Sequence, residues 1–141
     1  MTIAQRFIGI DVSKTHLDIY DDATGKSERI ANSPQAMAVV LARWPRTGIR
    51  VIFEATGSYD RVLRSALDGA HLVYVRVNPA RARDFARATS ALAKTDAIDA
   101  RLLATMGRAL ALAPSQAVDP LRERLTGLQR RRDQLVAIRA D

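Results

Sequence analysis

The chain has no cysteine, few aromatic residues and no long apolar run, and each absence closes off a class of function. Without cysteine in its 141 residues there is no disulfide framework, no thiolate nucleophile and no zinc–thiolate site. Aromatics make up 5% of the sequence, too few for a groove that stacks a single strand on several rings. The two histidines, His16 and His71, lack metal-ligand spacing and are expected to be ordinary strand or loop residues. No stretch approaches the roughly 18 apolar residues of a membrane span, and the first residues lack the apolar run of a signal peptide. A soluble, cytoplasmic protein is the expectation. No GxxxxGK(S/T) phosphate loop occurs.

What the chain has is positive charge. Twenty-two Lys and Arg against 15 Asp and Glu give a net charge of +7 and a pI near 10.7. Such a field attracts polyanions, so DNA or another nucleic acid is the first partner to consider and an anionic membrane surface the second. The length suits one domain with a core of its own.

Hydrophobic patterning gives the order of elements. Arg6 to Val12 is apolar and β-branched, His16 to Tyr20 continues in strand style, and Asp21 to Lys26 supplies turn residues before a third strand near Ser27 to Ala31. Short turns make these an antiparallel meander. Ser33 then caps a helix with Pro34 in its first turn, and Met37, Val40, Leu41 and Trp44 recur at helical spacing. Arg50 to Ala55 reads as a buried strand, Ser58 to Leu67 as a helix, and His71 to Val77 as another strand. Asn78 and Pro79 open the next helix, and a further helix is predicted from a Thr95 cap to about Leu112. The order β-β-β-α-β-α-β-α-α predicts an α/β fold with a mixed central sheet flanked by helices. Pro114 and Pro120 flank a break, after which Leu121, Leu125, Leu128 and Leu135 suggest an amphipathic or coiled-coil helix that could self-associate. The division expected is a catalytic domain over 1–113 and a linker with the start of a projecting helix over 114–141, in a chain whose natural form continues further.

Four acids sit where a sheet-centred nuclease would need them. Asp11 interrupts the apolar strand Ile8-Gly9-Ile10-Asp11-Val12, and Glu54 ends Val51-Ile52-Phe53-Glu54. A carboxylate inside or at the end of an apolar strand is costly without a cation or a hydrogen-bonding partner. Asp96 and Asp99, three apart at the start of the predicted helix, would share one face within one turn. Singly, each has an ordinary structural explanation: a helix amino terminus favours acids, and strand acids pair with arginines. Together they form the all-oxygen donor set that Mg²⁺ or Mn²⁺ prefers.

Three blocks carry a family resemblance: Gly9-Ile10-Asp11-Val12-Ser13-Lys14, Glu54-Ala55-Thr56-Gly57-Ser58-Tyr59 and Lys94-Thr95-Asp96-Ala97-Ile98-Asp99-Ala100. With Val77-Asn78-Pro79, Phe85 and Ala86 between them, the chain resembles the DEDD transposases of the insertion-sequence 110 group over nearly its whole length. The resemblance implies a ribonuclease H-like fold similar to the RuvC junction resolvases. It places the four family acids on Asp11, Glu54, Asp96 and Asp99, as metal ligands and catalytic groups. It also implies metal-dependent DNA cleavage and strand exchange during transposition, with a structured guide RNA selecting the DNA. A serine-bearing carboxy-terminal domain completes the catalytic unit in that family, and without it this stretch is not expected to recombine DNA alone.

The basic residues are weighed separately. Lys14 and Lys94 flank the acids and are placed to meet a phosphate, or equally to pair with those acids. Arg81, Arg83 and Arg87 on the helix after Pro79 suggest a phosphate-tracking surface against a plain solvated face, and Arg130-Arg131-Arg132 poses the same choice. Tyr59 is expected to pack rather than stack on a base. The competing readings are an actin-like or sugar-kinase-like ATPase, a stand-alone junction resolvase, and a non-catalytic nucleic-acid-binding module.

Overall fold

The computed structural model describes residues 5–89, 98–115 and 131–132. Within them the elements run β1 (Arg6–Val12), β2 (His16–Asp21), β3 (Lys26–Ala31), α1 (Pro34–Arg43), β4 (Ile49–Glu54), α2 (Arg61–Gly69), β5 (Val73–Val77), α3 (Pro79–Ala88) and α4 (Ala100–Leu110). The sheet order is β3-β2-β1-β4-β5. β1 pairs antiparallel with β2 and β2 with β3, whereas β1 and β4, and β4 and β5, are parallel. The expected meander and mixed sheet are both present.

Local chemistry explains most boundaries. Ser33 Oγ accepts from the Ala36 amide at 3.2 Å, and Asn78 Oδ1 accepts from the Ala80 amide at 2.8 Å, each ahead of a first-turn proline. Three boundaries differ from expectation. α2 begins at Arg61 rather than Ser58, because residues 57–60 form a turn whose Asp60 side chain is buried against Arg76. β5 begins at Val73 rather than His71, whose φ of 55° breaks the strand. α4 begins at Ala100, capped by Asp99: its backbone is extended and its Oδ1 accepts from the Leu102 amide at 2.8 Å. Asp99 therefore precedes this helix instead of lying within its first turn. Thr95, the expected cap, lies outside the described residues, as do Asp96, Lys94, Arg130 and the tail leucines.

The central strands are buried on both faces, so apolar side chains alternate between two cores. Ile8, Ile10, Val51 and Phe53 pack with Met37 and Val40 of α1 and Leu63 and Leu67 of α2. Phe7, Ile52, Val75 and Val77 pack on the opposite face with Phe85 of α3 and Leu103 and Met106 of α4. α4 lies close against the strands because two glycines admit it. A Cβ on Gly9 would come 1.8 Å from the Ala100 carbonyl oxygen, and one on Gly107 would come 2.3 Å from Ile52 Cδ1.

Directly beyond α4, Leu112 is buried with the α3–α4 core and Ser115 docks on the sheet. The Ser115 amide donates to Tyr74 O and its Oγ accepts from the Arg76 amide, both at 2.9 Å, which covers part of the β5 edge. Among the described residues no helix is long and apolar enough to cross a membrane.

Candidate active site

The period of two along a strand decides which acids share a face. Gly9 faces α4 and so does the next alternate residue, Asp11; Ile52 faces the α3–α4 side and so does Glu54. Asp11 and Glu54 therefore emerge on one face of neighbouring parallel strands, one step beyond the Ile10–Phe53 pair. Asp99 arrives on that face because α4 starts directly over Gly9. Asp11, Asp18, Arg29, Asp99 and Arg101 line one cleft of about 820 Å³.

Burial pushes the Asp11 carboxyl above the usual range; Asp18 and Asp99 add to the rise, while His16 and Arg29 pull against it. Burial likewise raises Glu54, with Arg83 opposing and Asp11 adding. Neither acid has a salt-bridge partner among the described residues. The remaining part-buried acids differ. Arg29 forks onto Asp18 at 2.7 and 3.1 Å and holds its carboxyl below the usual range. Asp21 is bound by Arg6, Asp22 by Arg108 at 2.7 Å and Asp60 by Arg76 at 2.7 Å. Asp18 stands directly opposite Asp11, and Arg29 directly opposite Asp18, so the pair sets a neutralised acid beside a bare one. Asp99 spends one carboxylate oxygen on its helix cap. Among the described residues no three His, Cys, Asp or Glu side chains converge closely enough to enclose a metal ion. Asp96 lies outside them.

Lys14 is exposed in the β1–β2 turn, and Arg81, Arg83 and Arg87 are exposed on α3. Arg83 alone of the three reaches Glu54 electrostatically: Glu54 pairs in register with Val77, and α3 starts two residues later. Arg87 lies 3.7 Å from Asp84, both about three-quarters exposed, an arrangement worth little energetically. Lys94 lies outside the described residues. Tyr59 does not pack as expected, since 47% of it is exposed.

Two constellations escaped the sequence reading. Asn32 Nδ2 donates to Ser13 O at 2.8 Å and Tyr59 O at 2.9 Å, tying the loop after β1 to the loop after β4. Its partners are 19 and 27 residues away, so no local pattern could have shown them. Arg76 was readable. It interrupts Val73-Tyr74-Val75-Arg76-Val77 as Asp11 interrupts β1, and a half-buried cation in an apolar strand calls for an acid, here the buried Asp60.

The transposase model of the DEDD insertion-sequence 110 group matches residues 8–141. The chain belongs to this transposase family. RuvC of Thermus thermophilus, solved in complex with a Holliday-junction substrate, aligns with a TM-score of 0.51 at 16% identity. That alignment covers 79% of this chain and 100% of the RuvC chain, and it shows the fold: RuvC-like, of the ribonuclease H class. A second Thermus thermophilus RuvC structure aligns at 20% identity over 82% of this chain and 84% of its own. Its TM-score of 0.43 is too low to carry an argument. No curated protein matches the chain.

Proposed function

We propose that this transposase domain cleaves and exchanges DNA strands, and that Asp11, Glu54, Asp96 and Asp99 together hold Mg²⁺ or Mn²⁺. The observation that carries the reading is the contrast among the acids of the sheet and its loops: Asp18, Asp21, Asp22 and Asp60 each form an ion pair with an arginine, whereas Asp11 and Glu54 form none among the described residues. Two carboxylates left bare and mutually repelling on one face suit an external cation, and an all-oxygen donor set suits a hard one. Two such ions, when bound, would activate the attacking group and neutralise the leaving oxygen.

The protein's own residues do the rest. β1 and β4 fix Asp11 and Glu54 side by side, and the Arg29–Asp18 fork prevents a second bare acid from facing Asp11. Asp99 leaves one oxygen for the cleft while its other oxygen anchors α4. Lys14, Arg81, Arg83, Arg87 and Lys94 would hold DNA phosphates, with Arg83 in electrostatic reach of Glu54. In the family reading, a structured guide RNA selects the DNA and the reaction takes place in the bacterial cytoplasm; separately, the leucine spacing over 121–135 suits self-association of the protein. On the same family reading, a serine-bearing carboxy-terminal domain would complete the catalytic unit.

The test is calorimetric titration with Mn²⁺ of the wild type, Asp11→Asn and Asp99→Asn. Binding that both substitutions abolish is expected. Binding that survives both, or none in the wild type at millimolar Mn²⁺ even with DNA present, overturns the metal site. The non-catalytic reading predicts the latter.

A further inference from the structure

We propose that Tyr59 is a stacking platform for an unpaired nucleobase, held ready by Asn32 and Arg76 at the strand ends that carry Asp11 and Glu54. The inference rests on the nucleic-acid-processing reading and deepens it by naming how a base meets the site. A lone exposed aromatic is ordinary on a protein surface. What sets Tyr59 apart is that its loop is locked while its ring is left out. Asp60, the next residue, is only 1% exposed, with Arg76 Nε at 2.7 Å from its Oδ2. Arg76 Nη2 also donates to Gly57 O at 3.5 Å, on the other side of Tyr59. Asn32 Nδ2 holds the carbonyl of Tyr59 itself at 2.9 Å. Three anchors thus fix a backbone whose side chain is 47% exposed, and no hydrogen bond to another described residue engages its hydroxyl.

The place matters as much as the rigidity. β1 passes on to β2 on one side while β4 passes on to β5 on the other, so the loops after them diverge at the sheet's carboxyl end. Crevices of this kind receive ligands in open α/β sheets. Asn32 spans the divergence, gripping Ser13 O and Tyr59 O with one amide, and its backbone amide donates to Thr15 O at 3.0 Å. Lys14 stands exposed between Ser13 and Thr15, so the two tied loops present a ring and a cation together. A ring for a base and an ammonium for the adjacent phosphate suit one unpaired nucleotide. Bases inside a duplex already stack on one another and offer no free face. A single preset ring also agrees with the low aromatic content, which excludes a longer stacking groove.

The experiment compares labelled DNA duplexes carrying one bulged nucleotide with duplexes bearing an abasic bulge at the same place, titrated with the 141-residue chain. A matching pair with an RNA bulge strand asks which kind of strand supplies the base. The wild type should bind the base-bearing probe of at least one pair more tightly than its abasic counterpart. Tyr59→Ala should weaken only that probe, roughly five- to hundredfold, and erase the difference. Tyr59→Phe, which keeps the ring, should retain it. Equal binding of base-bearing and abasic probes by the wild type, or an unchanged Tyr59→Ala, overturns the stacking role and leaves the nucleic-acid reading standing. A wild type that binds none of the probes overturns both.

Discussion

A carboxyl group raised by burial and by neighbouring acids costs stability whenever it is ionised, and Asp11 is in that position. Removing its charge should therefore help the fold while harming the site. Asp11→Asn, melted in the presence of a chelator, should be more stable than the wild type by roughly 0.5–2 kcal/mol, as substitutions at strained functional sites often are. Asp18→Asn should go the other way, because it strips Arg29 of its forked partner. Thermal denaturation of the two variants in parallel decides the point. A destabilised Asp11→Asn would mean that the carboxylate has a stabilising partner after all. Asp11 and Glu54 were legible in the sequence because an acid in an apolar strand is costly wherever it occurs. The same rule would have found Arg76. It could not have found Asn32 or the exposure of Tyr59, which depend on the meeting of three connections distant in sequence.

At the scale of elements, caps that used Ser33 and Asn78 were readable from a few residues, but the start of α4 was not. Thr95 and Asp99 are both good capping residues, so local propensity does not choose between them. Packing does. The first turn of α4 lies on Gly9, and a helix set there requires its cap at Asp99. That contact links helix placement to the site, since Gly9 is two residues from Asp11 on the same face. Gly9→Ala would drive a methyl group into backbone at the Ala100 carbonyl, which has no rotamer to yield. It should cost about 1–3 kcal/mol of stability and, by moving Asp99, weaken Mn²⁺ binding as well. Gly107→Ala is the control. Its methyl would meet Cδ1 and Cγ1 of the Ile52 side chain rather than backbone, away from the helix start that Asp99 caps, so it should cost stability and leave Mn²⁺ binding unchanged. Chemical denaturation and calorimetry on both variants separate the outcomes. Unchanged Mn²⁺ affinity in a folded Gly9→Ala protein would remove Asp99 from the metal site.

At the scale of the molecule, the net charge of +7 says that polyanions are attracted but not which arginines meet them. The structure divides these residues by how much they are used internally. Arg108 donates to Asp22 at 2.7 Å and to Gln5 O at 3.2 Å, and its guanidinium lies 4.8 Å over the Phe7 ring. Its contacts are folding contacts. Arg81 and Arg87 are exposed on α3, and the ion-pair partner of Arg87 among the described residues, Asp84, is itself largely exposed. Each arginine that meets a phosphate releases counterions on binding, so log affinity falls with log salt by about 0.9 per contact on duplex DNA. Replacing Arg81 and Arg87 together by Gln should therefore flatten the salt dependence of DNA binding by about 0.9 for each residue removed. Arg108→Gln should leave the slope in place and lower the melting temperature instead. Fluorescence anisotropy across a salt series measures the slope directly. An unchanged slope in the α3 double variant would make that helix a solvated face and move the DNA path to other basic residues, with Lys14 and Arg83 beside the acids as the next to test.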